Sequence, residues 1–286
     1  MKIIECPRDA MQGLHTFIPT ERKVEYLNAL LKVGFDTIDF GSFVSPKVIP
    51  QMKDTWKVVS KLDMEETDSK LLAIVANERG ARDASEYEQI TYLGFPFSIS
   101  EKFQLRNTNA TQEQAFNKVQ DMFELSLQRD KTLVVYLSMG FGNPYGEMWH
   151  PSLVDHWADR FAAMGIEIIS VADTVGLASP ELIGKVFGEL TYNFPDVEFG
   201  AHFHTESHLW REKMEAAYRN GCGRFDSAIK GLGGCPMAQN KLVGNMPTEN
   251  VIEFFEEERS DFFIDNEAFA EAKQMAIKMF MEEFVS

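Results

Sequence analysis

The 286-residue sequence has few cysteines and no long apolar segment. The three cysteines, Cys6, Cys222 and Cys235, are odd in number and match no common zinc-binding spacing. This argues against a disulfide framework and against a structural zinc site. No apolar run approaches the roughly 20 residues that a membrane-spanning helix needs. We therefore expect free thiols and no membrane anchor.

Basic residues are also scarce. The chain has 28 lysines and arginines against 44 aspartates and glutamates, a formal net charge of −16. This charge repels nucleic acid phosphates and anionic membranes, so neither partner is expected. A small anionic substrate is compatible with it if an arginine or a metal ion compensates locally. A first strand at residues 2–6 leaves no room for a secretion signal, which predicts a cytoplasmic location.

Strand-like segments alternate with amphipathic helical segments along the whole chain. The predicted strands are residues 2–6, 37–40, 71–75, 89–93, 132–138, 166–172, 197–203 and 224–227. Eight strands, each followed by a helix, are typical of a TIM barrel, although an open doubly wound sheet shows the same alternation. We predict an α/β fold with a single (β/α)8 TIM barrel domain over residues 1–286, in which residues 248–286 form a helical extension.

Polar residues with catalytic potential lie at or just after the C-terminal ends of five predicted strands. They are Asp9 after the first strand, Asp39 at the end of the second, Asp173 and Thr174 after the sixth, His202 and His204 at the end of the seventh, and residues 231–245 after the eighth. TIM-barrel enzymes build their sites at this end, and closure makes the first and eighth strands neighbours. The positions therefore favour a closed barrel over an open sheet.

His202 and His204 are two residues apart in a predicted strand, so both imidazoles would point to one face and could bind one ion. Asp9 and the amide oxygen of Asn245 would complete a nitrogen and oxygen ligand set. Such a set suits Mg²⁺, Mn²⁺ or Co²⁺, with Zn²⁺ as a further candidate. The sequence therefore predicts a divalent metal site that leaves positions for substrate oxygens.

Two further residues suggest chemistry beside this metal. Arg8 would place a permanent cation where an enolate oxygen develops. Cys235, on a glycine-rich loop, could transfer a proton. Each motif also has a purely structural explanation: hydrogen-bonded histidines in a strand, a local Arg8–Asp9 salt bridge, a helix cap at Asp173, or a turn with a buried thiol. The recurrence of complementary side chains at one end of the barrel favours the site.

The sequence resembles the 3-hydroxy-3-methylglutaryl-CoA (HMG-CoA) lyase family, within the metal-dependent TIM-barrel lyases and aldolases that include isopropylmalate and homocitrate synthases. The resemblance covers nearly the whole chain. It is carried by the segments CPRDAMQ at 6–12, GSFVSPK at 41–47 with PQM at 50–52, ADTVG at 172–176, HFH at 202–204, and GLGGCP at 231–236 with GN at 244–245. The SFVSPK and GLGGCP segments are the most specific, because the synthases usually lack both.

The resemblance implies a role for each site residue. Metal ligands would be Asp9, His202, His204 and Asn245; catalytic residues would be Arg8, Cys235 and Asp39; and substrate would contact Arg8, Gln12, Ser42, Asp173 and Thr174. The implied reaction is a retro-Claisen cleavage of the acyl-CoA substrate HMG-CoA to acetyl-CoA and acetoacetate, as in leucine degradation. A homodimer is implied as well.

Two other functions stay open from the sequence. A related aldolase or Claisen enzyme would act on a different acyl-CoA or on a 2-oxo acid, and substrate profiling would separate it from an HMG-CoA lyase. A non-catalytic barrel would bind a metal or an acyl-CoA as an interaction module. The presence of Arg8 and Cys235 argues against the non-catalytic barrel.

Overall fold

Eight parallel strands close into a barrel in the computed structural model, which describes residues 1–233 and 243–281. Cys235, the predicted catalytic thiol, lies outside the described residues. The strands are β1 (Lys2–Glu5), β2 (Thr37–Ser42), β3 (Lys70–Ile74), β4 (Ile90–Ser98), β5 (Thr132–Ser138), β6 (Ile168–Asp173), β7 (Glu198–Thr205) and β8 (Arg224–Ser227). The parallel pairing of β1 with β8 closes the sheet, so the predicted TIM barrel is confirmed.

A ninth, two-residue strand crosses the C-terminal end of the barrel. This strand, β9 (Gly244–Asn245), pairs antiparallel with β7 and places Asn245 opposite His204. The chain that leaves β8 therefore returns to the neighbouring strand β7 before the next helix begins.

Helices surround the barrel. They are α1 (Pro7–Gln12), α2 (Thr20–Leu31), α3 (Thr55–Val59), α4 (Glu78–Ser85), α5 (Glu101–Thr108), α6 (Gln112–Gln128), α7 (Pro151–Met164), α8 (Pro180–Asn193), α9 (Trp210–Arg219), α10 (Thr248–Glu257) and α11 (Asn266–Met281). Short 3₁₀ turns cover Pro50–Met52 and Ile229–Gly231. None of the helices in the described ranges is long and apolar enough to span a membrane.

Local sequence signals account for several helix starts. Thr111 and Gln114 form the reciprocal capping box that their spacing indicates. The Ser179 side chain accepts the Leu182 N–H, with Pro180 in the first turn of α8. At the C-terminal end, α10 packs against α9 and β8 and takes the position of the eighth barrel helix, whereas α11 packs against α2. Among the described residues of the predicted 248–286 extension, α10 thus follows β8 as a barrel helix and α11 comes after it.

Two apolar layers hold the strands in place. Side chains alternate between the faces of each strand, and Leu71 and Ala73 pack in the outer layer beneath the helices. Their neighbours Leu72 and Ile74 belong to a separate cluster from β3–β6 that fills the barrel interior. Both faces of the strands are buried, as expected for a parallel sheet covered by helices.

Glu5 is a buried carboxylate on the helix side of β1. Its Oε1 accepts the Ile229 N–H at 2.9 Å and its Oε2 accepts the Thr248 hydroxyl at 2.5 Å. Burial raises the pKa of Glu5 from 4.5 to about 8, although these hydrogen bonds oppose the shift. Glu5 therefore joins β1 to the segments that precede and follow β9, and it is mostly protonated at neutral pH.

This elevated pKa predicts a pH-dependent stability. Between pH 4.5 and about 8, folded Glu5 retains a proton that the unfolded chain releases, so the free energy of unfolding falls as the pH rises through this window. A shift of this size corresponds to about 5 kcal/mol. Urea unfolding should show equal stability of Glu5→Gln and wild type at acidic pH, and a more stable variant above pH 8. A parallel pH profile for the two proteins would contradict this prediction.

Candidate active site

A cavity of about 170 Å³ opens at the C-terminal end of the barrel strands. On one side it is lined by six predicted site residues: Arg8, Asp9, Gln12, Thr174, His202 and His204. Mostly apolar and aromatic side chains, among them Val44, Ile74, Pro96, Phe103 and Tyr136, line the rest, together with the uncharged polar residues Asn107, Thr108 and Ser138. Arg8 is the only cationic residue in this lining within the described part of the chain. The cavity therefore combines one charged wall with one largely apolar wall.

Asp9, His202 and His204 form a group that could hold a metal ion. Asp9 lies in α1 directly after β1, and the two histidines occupy alternate positions near the end of β7. One ligand atom from each residue lies within 4.8 Å of the other two. Ligands bound at about 2 Å from an ion have comparable separations. Barrel closure thus brings together side chains almost 200 residues apart in sequence.

The hydrogen bonds of the two imidazoles define which ring nitrogens face the cavity. His204 Nδ1 lies 2.9 Å from the Thr174 carbonyl oxygen, which accepts only, so Nδ1 carries the proton and Nε2 carries the lone pair. His202 Nδ1 lies 3.0 Å from Asp226 Oδ2. The buried His204 Nε2 has no hydrogen-bond partner among the described residues. A metal ion would satisfy this nitrogen, so the residues fit such a group.

The charges around this group act differently on its three members. Burial raises the pKa of Asp9, but Arg8, His202 and His204 outweigh it, and the pKa is lowered overall. Burial and the neighbouring His202 lower the pKa of His204. For His202, burial acts downward, but the Asp226 carboxylate raises the pKa overall. Asp9 is therefore ionised and His204 neutral at neutral pH, the protonation states that metal ligands need.

Arg8 is held in one orientation by two carboxylates. Its Nε donates to both oxygens of Asp39, at 3.2 and 3.1 Å, and Nη2 donates to Asp39 Oδ2. Its Nη1 donates to Asp9 at 3.1 Å and to Gln12 at 2.9 Å. Burial raises the pKa of Asp39 to about 6, although Arg8 opposes this. The guanidinium is thus a fixed cation at the cavity wall, next to the candidate metal ligands.

Asn245 lies against Asp9. Its amide nitrogen donates to Asp9 Oδ2 at 2.6 Å and to the Leu232 carbonyl at 2.8 Å. Gly233, at φ +93°, passes so close that a Cβ there would lie 2.8 Å from both Asn245 Nδ2 and the Asp9 carbonyl oxygen. This approach requires glycine. The structure thus places Asn245 beside the metal group, while its role as a ligand stays a prediction.

The HMGL-like family model matches residues 2–276. The chain belongs to the HMGL-like family. Hydroxymethylglutaryl-CoA lyase of Bacillus subtilis is 30% identical over 254 residues, which cover 88% of this chain and 83% of that protein. The confirmed resemblance identifies this HMGL-like protein as a carbon–carbon lyase, as predicted.

Solved structures of HMG-CoA lyases superpose closely on the HMGL-like chain. The enzyme from Acinetobacter baumannii, in complex with coenzyme A and 3-methylmalate, has a TM-score of 0.90 at 30% identity and covers 98% of this chain and 91% of its own. The Bacillus subtilis enzyme has a TM-score of 0.91 at 29% identity, with coverages of 98% and 93%. The fold and the family assignment therefore agree.

Two of the remaining predicted substrate contacts of this HMGL-like protein line the cavity, and two do not. Gln12 donates to Asp9 at 2.6 Å, and the Thr174 hydroxyl accepts the Met139 N–H at 2.8 Å; both residues line the cavity. Ser42 does not belong to this lining, and its hydroxyl bonds the backbone of Ile74 and of the loop that follows β2. Asp173 also lies outside the lining. Substrate contacts stay a prediction for all of these residues.

Sequence reasoning missed Asp226 as the partner of His202. Cys6, His202 and Asp226 also form a group with ligand atoms within 4.8 Å. The imidazole and the carboxylate are hydrogen-bonded to each other, so we assign Asp226 to the orientation of His202 rather than to a second metal site. The sequence feature that could have identified Asp226 is its charge, because it lies in β8, a strand buried on both faces.

Proposed function

We propose that this HMGL-like protein is a divalent-metal-dependent lyase that cleaves HMG-CoA, or a close analogue, to acetyl-CoA and acetoacetate. The observation that carries the proposal is the buried, unpartnered Nε2 of His204, grouped with Asp9 and His202 and adjacent to the fixed guanidinium of Arg8. The similarity to hydroxymethylglutaryl-CoA lyases, and the coenzyme A bound in one structural neighbour, support the acyl-CoA substrate.

Asp9, His202, His204 and Asn245 would hold the ion, with Mg²⁺ or Mn²⁺ as the first candidates. When bound, the metal supplies a Lewis acid that orients substrate oxygens and lowers the pKa of a hydroxyl. In the proposed reaction a basic group of the site accepts the C3 hydroxyl proton and the C2–C3 bond breaks; the proton taken up later at C2 balances this loss. The electron pair of that bond passes to C2 of acetyl-CoA, and C3 becomes the ketone carbon of acetoacetate.

Arg8 would stabilise the negative charge that develops on the thioester oxygen as the enolate forms. Its position is fixed by Asp39, whose pKa of about 6 also lies close enough to neutrality for proton exchange. Cys235 is proposed to transfer the proton that C2 of the enolate takes up. The apolar wall of Val44, Pro96 and Phe103 would keep water away from the reacting thioester.

A second candidate is a lyase of the same type that acts on a different acyl-CoA. Two observations support this second candidate. The Acinetobacter enzyme has 3-methylmalate bound. The described cavity lining also has no second cation that could bind a carboxylate at the far end of HMG-CoA. A homodimer and a place in leucine degradation stay predictions from the sequence resemblance, and a cytoplasmic location stays a prediction from the position of the first strand.

Metal-dependent turnover tests the proposal. The protein is freed of metal with EDTA, then incubated with HMG-CoA and Mg²⁺ or Mn²⁺, and the products are identified by mass spectrometry. We expect acetyl-CoA and acetoacetate in equal amounts, and none without metal. Cleavage of other 3-hydroxyacyl-CoA thioesters but not of HMG-CoA would support the second candidate. Metal binding without cleavage of any thioester would favour the non-catalytic barrel.

A further inference from the structure

We infer that Lys213 is a positioning residue, which fixes the imidazole of His204 through a buried ion pair with Asp173. The inference rests on the proposed metal site and adds a residue to it that contacts neither the cavity nor the candidate ion. It follows from a continuous chain of hydrogen bonds that runs from α9, through the end of β6, to the His204 ring.

Lys213 joins the ends of two strands. Its ammonium donates to Asp173 Oδ2 at 2.8 Å and to the backbone carbonyl of His204 at 3.0 Å. The side chains of Lys213 and Asp173 are each only 1% exposed. One buried cation therefore connects the last residue of β6 to the residue of β7 that faces the metal group.

Asp173 transmits this contact to the turn after β6. Its two carboxylate oxygens accept the N–H groups of Leu177, at 2.8 Å, and of Ala178, at 3.1 Å. The turn begins with Thr174, whose carbonyl accepts the His204 Nδ1 proton at 2.9 Å. The direction of the His204 ring thus depends on a backbone conformation that Asp173 holds, and Lys213 fixes Asp173.

The two candidate histidine ligands are supported in different ways. His202 bonds the Asp226 carboxylate directly, but His204 bonds a neutral carbonyl in a turn. A turn is less rigid than a strand, so an additional constraint on it has a direct effect on the ligand. Stability alone is a weak explanation for the Lys213–Asp173 pair, because apolar replacements of buried ion pairs are often neutral or stabilising.

Isothermal titration with Mn²⁺ on the full chain tests this role. We expect Lys213→Met, which matches the side-chain length, to weaken Mn²⁺ binding about tenfold to a hundredfold, as losses of groups that orient a ligand do. Lys23→Met is the matched control: Lys23 is also buried, donates to Asp54 at 2.6 Å and lies outside the cavity lining. It should lower the melting temperature and leave the Mn²⁺ affinity unchanged.

A second variant separates positioning from loss of fold. Lys213→Met combined with Asp173→Asn removes both charges but keeps an oxygen for the Leu177 N–H, so it should melt close to wild type and still bind Mn²⁺ about tenfold more weakly. Wild-type affinity in either folded variant overturns the inference, and failure of both variants to fold assigns the pair to stability alone and overturns it too. Absence of Mn²⁺ binding by wild type would overturn the metal centre itself, together with this inference.

Discussion

Replacement of Arg8 by methionine is expected to lower kcat for thioester cleavage about a thousandfold, the loss found when a fixed group that stabilises developing charge is removed. Arg8 is the only cation in the described cavity lining, and burial next to Asp39 and Asp9 keeps it both charged and oriented. Methionine fills a similar volume but provides no charge. The measurement is kcat with saturating HMG-CoA and Mn²⁺, accompanied by a melting curve.

Arg8→Lys should recover little of this activity. A lysine ammonium cannot donate in parallel to the two oxygens of Asp39 and also reach Asp9 and Gln12, so the charge would be present but misplaced. The matched control is Arg160→Met, which breaks an ion pair with Glu113 on the helix surface. Its kcat should equal that of wild type. A kcat for Arg8→Met within about tenfold of wild type would remove Arg8 from the chemical step.

The second large effect is expected in metal binding. His204→Ala removes a candidate ligand nitrogen that is buried and has no other partner within the described ranges. The expected loss of Mn²⁺ affinity is more than about a hundredfold, because a ligand contributes more than the outer groups that orient it. Titration calorimetry on metal-free protein measures this loss directly, and turnover should fall with it at low Mn²⁺ concentration.

His208→Ala provides the matched control for this loss. His208 lies four residues further along the chain, and its side chain is exposed, close to Glu206 on the surface. Its removal should change neither Mn²⁺ affinity nor turnover. Equal Mn²⁺ affinities for His204→Ala and wild type would place the metal elsewhere and contradict the proposed ligand set.

The barrel and the metal group could be predicted because their signals are local. The strands are short, largely buried segments of four to nine residues that alternate with helices, and Asp9, His202 and His204 lie at or just after strand ends that closure must bring together. The C-terminal boundary was less predictable. A segment of about 20 residues separates β8 from α10, which made the eighth barrel helix look like part of an added extension.

The long-range partners of the polar side chains could not be predicted, because they depend on residues distant in sequence. Asp173 is one of the predicted substrate contacts, yet its carboxylate bonds Lys213, 40 residues away on another helix. The Ser42 hydroxyl instead bonds nearby backbone, a choice that depends on the geometry of the loop rather than on the residue type. For the Lys213–Asp173 pair, the available signal was a lysine within the apolar stripe of α9.

The antiparallel pairing of β9 with β7 has an evolutionary consequence. Asn245 sits opposite His204, and the next residue, Met246, donates its N–H to the Phe203 carbonyl at 3.0 Å. These are backbone bonds, so they do not depend on the identity of the side chains along the pairing, and they hold Asn245 on the seventh strand beside Asp9. The metal group can therefore persist while the side chains around it diverge in a lineage of such enzymes.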